Sequence, residues 1–162
     1  MDTISQIAVT ENIRKVASGI GGSGLDYVKN ALEFIKGTII NKPYNDATVV
    51  AERTLRWTRT AEQVLSDGYV YKTKGCTDLV ILFQALREAK GYPTNFLRVK
   101  DKSGSVNHSM AEVQIDDNWY TVDAGNSFEI KEGKLEDGES FKDFTLWKRG
   151  RDGWDIGLKP LT

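Results

Sequence analysis

A thiol, an imidazole and a carboxylate together can make a nucleophilic device, and this chain has few places to put one. Cys76 is the only cysteine and His108 the only histidine in 162 residues. In such a device a thiolate attacks a carbonyl carbon, an imidazole exchanges the proton, and an aspartate orients the imidazole. Cys76 follows Gly75 and leads into the apolar run Leu79-Val80-Ile81-Leu82-Phe83, which places it at the predicted N-terminus of a helix. Unpaired backbone N–H groups and the positive end of the helix dipole favour a thiolate there. Lys72 and Lys74 are expected to add positive potential, and Gly75 to permit a tight turn and leave room for a substrate.

The histidine and a particular aspartate are tied together by pattern. Residues 108–115 and 118–123 alternate polar and apolar and read as a hairpin around Asp116-Asp117 or Asp117-Asn118. For any turn with an even number of residues, His108 and Asp123 share one face, roughly 5 to 8 Å apart between Cβ atoms. Ala111, Val113, Ile115, Tyr120 and Val122 then share the other, which is apolar and belongs to a core.

The elements that must carry these residues are legible on either side. Ser23 three places before Asp26 is a capping-box pattern, with Leu25, Val28, Leu32 and Ile35 at helical spacing behind it. Asn45 or Asp46 caps a second predicted helix carrying Val49, Val50, Leu55 and Trp57. Thr60 followed by Gln63 opens a short third helix that stops at Gly68. The fourth spans about 76–90 and ends at Gly91; its apolar first half marks a helix enclosed by protein. After Pro93 the period becomes two: strands are predicted over 94–100, in the hairpin, and near 127–130. Helices followed by a small antiparallel sheet make an α+β fold, read as one domain over 1–162, helical over 1–91 with sheet and tail over 92–162.

Composition removes whole classes of function. With 22 basic and 23 acidic residues the net charge is −1, which favours neither nucleic acid nor an anionic membrane as partner. The longest apolar run is five residues, far below the roughly 20 of a membrane span. Asp2 and Glu11 near the N-terminus, without an apolar stretch, do not make a signal peptide, so a cytoplasmic protein is expected. One cysteine excludes a disulfide framework, and one histidine leaves metal binding to carboxylates that are not clustered, so neither cofactor nor metal is expected.

Three separated blocks carry a family resemblance. Gly75-Cys76-Thr77-Asp78 with Leu82, Leu86-Arg87, Gly91 and Pro93 resembles the nucleophile segment of the transglutaminase-like superfamily. His108 with Ala111-Glu112-Val113 resembles its histidine strand, and Trp119-Tyr120-Thr121-Val122-Asp123 its aspartate strand. Glu62-Gln63-Val64-Leu65 is similar to the segment that precedes the cysteine, so the match covers about residues 60–125. The resemblance implies Cys76 as nucleophile, His108 as acid/base and Asp123 as orienting group. It also implies a papain-like arrangement with the cysteine helix packed on the sheet. Met110 departs from it, standing where the family often has tryptophan, with a changed acyl-binding wall as the consequence. No segment resembles the calcium sites or accessory β-domains of animal transglutaminases, so the chain resembles a minimal prokaryotic-type member.

The expected activity is acyl transfer on amide bonds through a thioester, as a peptidase- or amidase-type hydrolase acting on a peptide or protein. The alternatives are a transglutaminase with an amine acceptor, and a non-catalytic protein-binding module; the oligomeric state is left open. Trp57 is a weak candidate for an oxyanion-hole donor beside the backbone N–H of Cys76. Glu112 falls on the catalytic face, where a structural role is preferred. The tail around Trp147, Lys148, Arg149, Arg151 and Trp154 reads as a surface segment packing its tryptophans near the cleft.

Overall fold

A computed structural model describes residues 5–137 and 141–160; Asp2 and both ends of the 1–162 range lie outside them. Helices α1 (Glu11–Gly19), α2 (Gly24–Thr38), α3 (Val49–Leu55), α4 (Ala61–Asp67) and α5 (Cys76–Glu88) occupy the first half, with short strands β1 (Ile40–Lys42) and β2 (Tyr69–Tyr71) between them. Strands β3 (Thr94–Asp101), β4 (Asn107–Ile115), β5 (Asn118–Val122), β6 (Ile130–Glu132) and β7 (Phe144–Gly150) follow. They form one antiparallel sheet in the order β6-β5-β4-β3-β7, while β1 and β2 pair in parallel apart from it. The fold is α+β.

Local rules account for most element ends. Thr60 and Gln63 make a reciprocal capping box on α4, and Gly68 closes that helix in the left-handed conformation at φ 75°. Helix α5 is buried from Thr77 to Arg87, the enclosed helix that its apolar run requires. It packs on β3 and β4, with α1, α2 and α4 around it. The hairpin closes at Asp116-Asp117, because Ile115 pairs with Asn118, and Asp116 takes φ 56°. That two-residue turn sets the predicted faces. Ala111, Val113, Ile115 and Val122 join the main core, while Met110 joins Leu97, Val99, Leu135 and Phe141 in a smaller core beyond the sheet.

Several expectations are corrected here. Helix α1 was not anticipated, although Thr10 caps it and Ile13 and Ala17 bury its inner side. Ser23 does not cap α2 with its side chain; the chain enters that helix through Gly24 at φ +56° instead. Trp57 does not lie on a helix, because α3 ends at Leu55 and Trp57 adopts φ 60°. Met110 is fully buried in the smaller core and forms no wall of the cleft described below. The tail lies at the surface as expected, but residues 144–150 are also a strand that was not anticipated, the mostly exposed edge strand β7 against β3.

Glu112 holds that edge strand. Its carboxylate is completely buried and accepts from Arg149 Nε at 2.7 Å and Nη2 at 3.1 Å, and from Asn95 Nδ2 at 2.8 Å. This is the structural role preferred for it. Arg149→Met would strand a buried carboxylate on one neutral amide, a change worth about 3–5 kcal/mol. Urea unfolding at pH 7 should show that loss as a lower midpoint than wild type. Equal midpoints at pH 7 would refute the assignment.

Candidate active site

Cys76 is the first residue of α5, and its preceding residue Gly75 supplies no capping side chain. The first N–H groups of the helix therefore lack side-chain or intrahelical acceptors and surround the sulfur with positive potential. The absent Cβ of Gly75 does not serve a substrate as expected. A Cβ there would lie 2.5 Å from Cβ of Val70, so glycine lets the start of α5 pack against β2.

His108 is the second residue of β4 and stands at the end of the sheet where α5 begins. Its Nε2 lies 2.7 Å from Asp123 Oδ1. Asp123 follows the last residue of β5, diagonal to His108 in the register, as the hairpin pattern requires. The other oxygen of Asp123 accepts from the backbone N–H and hydroxyl of Ser127 at 3.2 and 2.9 Å. With Nε2 held by the carboxylate, Nδ1 is the nitrogen left for the thiol. His108 and Asp123 are 8% and 3% exposed, so their interaction is little screened by water. Cys76 is half-buried.

The charges form a consistent set. Burial pushes the thiol up, but a hydrogen bond with His108 and the charges of His108 and Arg98 outweigh it and bring Cys76 from 9.0 down to about 7. Burial pushes the imidazole down, but hydrogen bonds with Asp123 and Cys76 raise it from 6.5 to about 9. Asp123 is held below its ordinary value although burial opposes this, by the hydrogen bonds from His108 and Ser127. Between these limits the favoured state is thiolate, imidazolium and carboxylate.

Arg98 was not anticipated. Its Nη1 lies 4.0 Å from Cys76 Sγ and donates to Ser109 Oγ at 2.8 Å, and Ser109 Oγ lies 2.9 Å from Thr77 Oγ1. The network joins the first turn of α5 to the paired residues Arg98 and Ser109 of β3 and β4. A signal was present: alternation places Arg98 on the inward face with Phe96, a register where a cation is costly without a purpose. The expected cations act less directly. Lys72 is exposed at the cleft and Lys74 Nζ sits over the Tyr44 ring, and neither contributes to the thiol's shift. Trp57 packs its ring against Arg98, 5.9 Å from the guanidinium carbon, and is not among the residues lining the cleft.

The cleft above the sulfur has a volume of about 420 Å³. Cys76 and His108 share it with Asn107, Asn126, Lys72 and Phe128. Gly125 admits the loop after Asp123 to Cys76: a Cβ there would lie 2.7 Å from both Cα and Cβ of the cysteine. Trp147 and Trp154 stay outside the cleft; the indole N–H of Trp154 donates to the carbonyl of Trp57 at 2.7 Å.

The architecture has counterparts among solved structures. A provisionally named cysteine protease from Cytophaga hutchinsonii superposes with TM-score 0.66 at 15% identity, over 94% of this chain and 48% of its own. LapG of Legionella pneumophila superposes with TM-score 0.57 at 12% identity, over 98% of this chain and 95% of its own. The fold is transglutaminase-like. The chain spans about half the length of the Cytophaga protein. No protein-family model and no curated protein matches it. No helix among the described residues is long and apolar enough to cross a membrane.

Proposed function

We propose that the chain is a cysteine-nucleophile acyl-transfer enzyme that hydrolyses amide bonds of a peptide or protein. One observation carries this reading: Cys76 and His108 line the same open cleft, and the imidazole is fixed there by Asp123 at 2.7 Å. In this reading the Cys76 thiolate adds to the amide carbonyl carbon and the His108 imidazolium gives its proton to the amide nitrogen. The C–N bond breaks, the amine leaves and a thioester remains on Cys76. Neutral His108 then takes a proton from water as its oxygen attacks the thioester, the C–S bond breaks, and acid and thiolate are released with His108 recharged. Asp123 stays ionised throughout and stabilises the imidazolium. The backbone N–H of Cys76 at the helix start is the oxyanion donor this reading uses.

The pH profile follows from the two shifts. Raising pH through about 7 forms the thiolate, and raising it further through about 9 removes the imidazolium proton. Because the two groups titrate as a coupled pair, kcat/KM should be bell-shaped with limbs near those values. The same dependence should govern alkylation of Cys76 by iodoacetamide on its acidic limb. Acid quenching during turnover of a peptide library should leave an acyl adduct on Cys76, visible by mass analysis. Alkylation rising only near the ordinary thiol value of about 8.5, with no adduct, would overturn the proposal.

A further inference from the structure

A second cleft of about 420 Å³ lies away from Cys76, between the start of α2 and the far end of α5. Ser23, Gly24 and Leu25 line it together with Arg87, Tyr92 and Tyr120. Arg87 is only 1% exposed and has no carboxylate partner among the described residues. Its Nε is buried without a hydrogen-bond partner, and Nη2 reaches only the carbonyl of Gln114, at 3.3 Å. A guanidinium in that setting has lost water without gaining a counter-charge, which is costly unless an anion completes it.

The start of α2 supplies a second set of donors. This helix has 15 residues, and Ser23 makes no side-chain capping bond to it. Gly24, at φ +56°, turns the chain into the first turn, and the N–H groups of Leu25 and Asp26 are left without a side-chain acceptor. Unpaired helix N–H groups together with a guanidinium are the usual donors for phosphate oxygens. The Tyr92 ring covers Arg87, 4.1 Å from the guanidinium carbon, and is itself 51% exposed, so the cover is one side chain with solvent beyond it. The acidic groups nearby are few. Asp116 lines the cleft at the hairpin turn, and Asp26 in the first turn of α2 is exposed and outside the lining. Lys90, whose Nζ lies 5.2 Å from the Tyr27 ring centroid, adds a further cation on this side.

We propose that this cleft binds a phosphate group, with Arg87 and the N–H groups of Leu25 and Asp26 as its donors and the Tyr92 ring moving aside to admit it. The ligand is inorganic phosphate or the phosphate of a monoester, whose organic part would lie against Tyr92 and Tyr120. The inference is independent of the chemistry at Cys76.

Heteronuclear NMR of the full chain tests it directly, with inorganic phosphate, phenyl phosphate and chloride titrated at constant ionic strength. Saturable shifts of the Leu25 and Asp26 amides and of the Arg87 side-chain N–H are expected with both phosphates and not with chloride. Tighter binding of phenyl phosphate assigns the site to esters, and equal binding assigns it to the free ion. Arg87→Gln should weaken binding at least tenfold. Should that variant fail to fold, Asp116→Asn still decides the matter: it removes the cleft's own carboxylate from an exposed turn, and binding should tighten on the order of threefold. Absence of saturable shifts in wild type, or phosphate affinity unchanged in both variants, would overturn the proposal.

Discussion

Replacing Cys76 by alanine should lower kcat/KM for an amide substrate by roughly 10⁴- to 10⁶-fold, the usual cost of deleting a covalent nucleophile. At about 1.4 kcal/mol per decade this is about 5–8 kcal/mol of transition-state stabilisation. The fold should survive, because Cys76 is half-buried and alanine retains the Cβ that meets the loop at Gly125. The chain also offers an internal probe of the same variant. His108 is the only histidine, so one imidazole resonance reports its titration without overlap. Burial lowers that group, and hydrogen bonds with Asp123 and with Cys76 raise it to about 9. Removing the thiolate deletes one of the raising partners, so the imidazole in Cys76→Ala should titrate at lower pH than in wild type. Full turnover by the variant would end the proposed function; an unmoved imidazole would show that sulfur and ring do not interact.

The second large effect requires no change in any reacting group. In Gly125→Ala the new methyl would lie 2.7 Å from Cα and Cβ of Cys76 and 2.9 Å from its carbonyl oxygen. Two of those neighbours are backbone atoms at the start of an enclosed helix, so the strain cannot be relieved by rotating a side chain. The loop, which also carries Ser127 against Asp123, must move away from the sulfur. A displacement near 1 Å at a reacting centre costs about 100-fold in rate, and overpacking costs about 1–3 kcal/mol in stability. Gly21→Ala is the control, because nothing lies within 4 Å of its added Cβ. Measuring kcat/KM and urea midpoints on both should separate them clearly; indistinguishable behaviour would mean that the loop tolerates a methyl against Cys76.

The site also shows how far a thiolate depends on surroundings built from distant segments. Arg98 reaches Sγ at 4.0 Å only because Ser109 Oγ accepts from the same Nη1 and Trp57 lies against the guanidinium. These residues come from β3, β4 and the stretch beyond α3. Asp78, two places after the cysteine, works differently. Buried on α5, it accepts from Arg59 Nη2 at 2.7 Å and anchors the segment before α4 rather than facing the cleft.

Local pattern was enough for much of this protein. The period-two hairpin placed His108 and Asp123 on one face opposite Ala111, Val113 and Val122, because pairing and alternation act between residues close in sequence. The enclosed character of α5 and the capping box of α4 were legible for the same reason: each depends on neighbours within one or two turns. What needed the tertiary structure was every decision between segments far apart. Residues 144–150 became an edge strand because Glu112, 37 residues before Arg149, supplies the buried carboxylate that holds it. Trp57 left its expected helix for a left-handed residue packed against Arg98, and Lys72 and Lys74 yielded the thiol to a cation 22 positions after it. Alternation and periodicity say which way a side chain points relative to its own element. They do not say which other element fills the space it points into, and a buried charge is settled only when that space is filled.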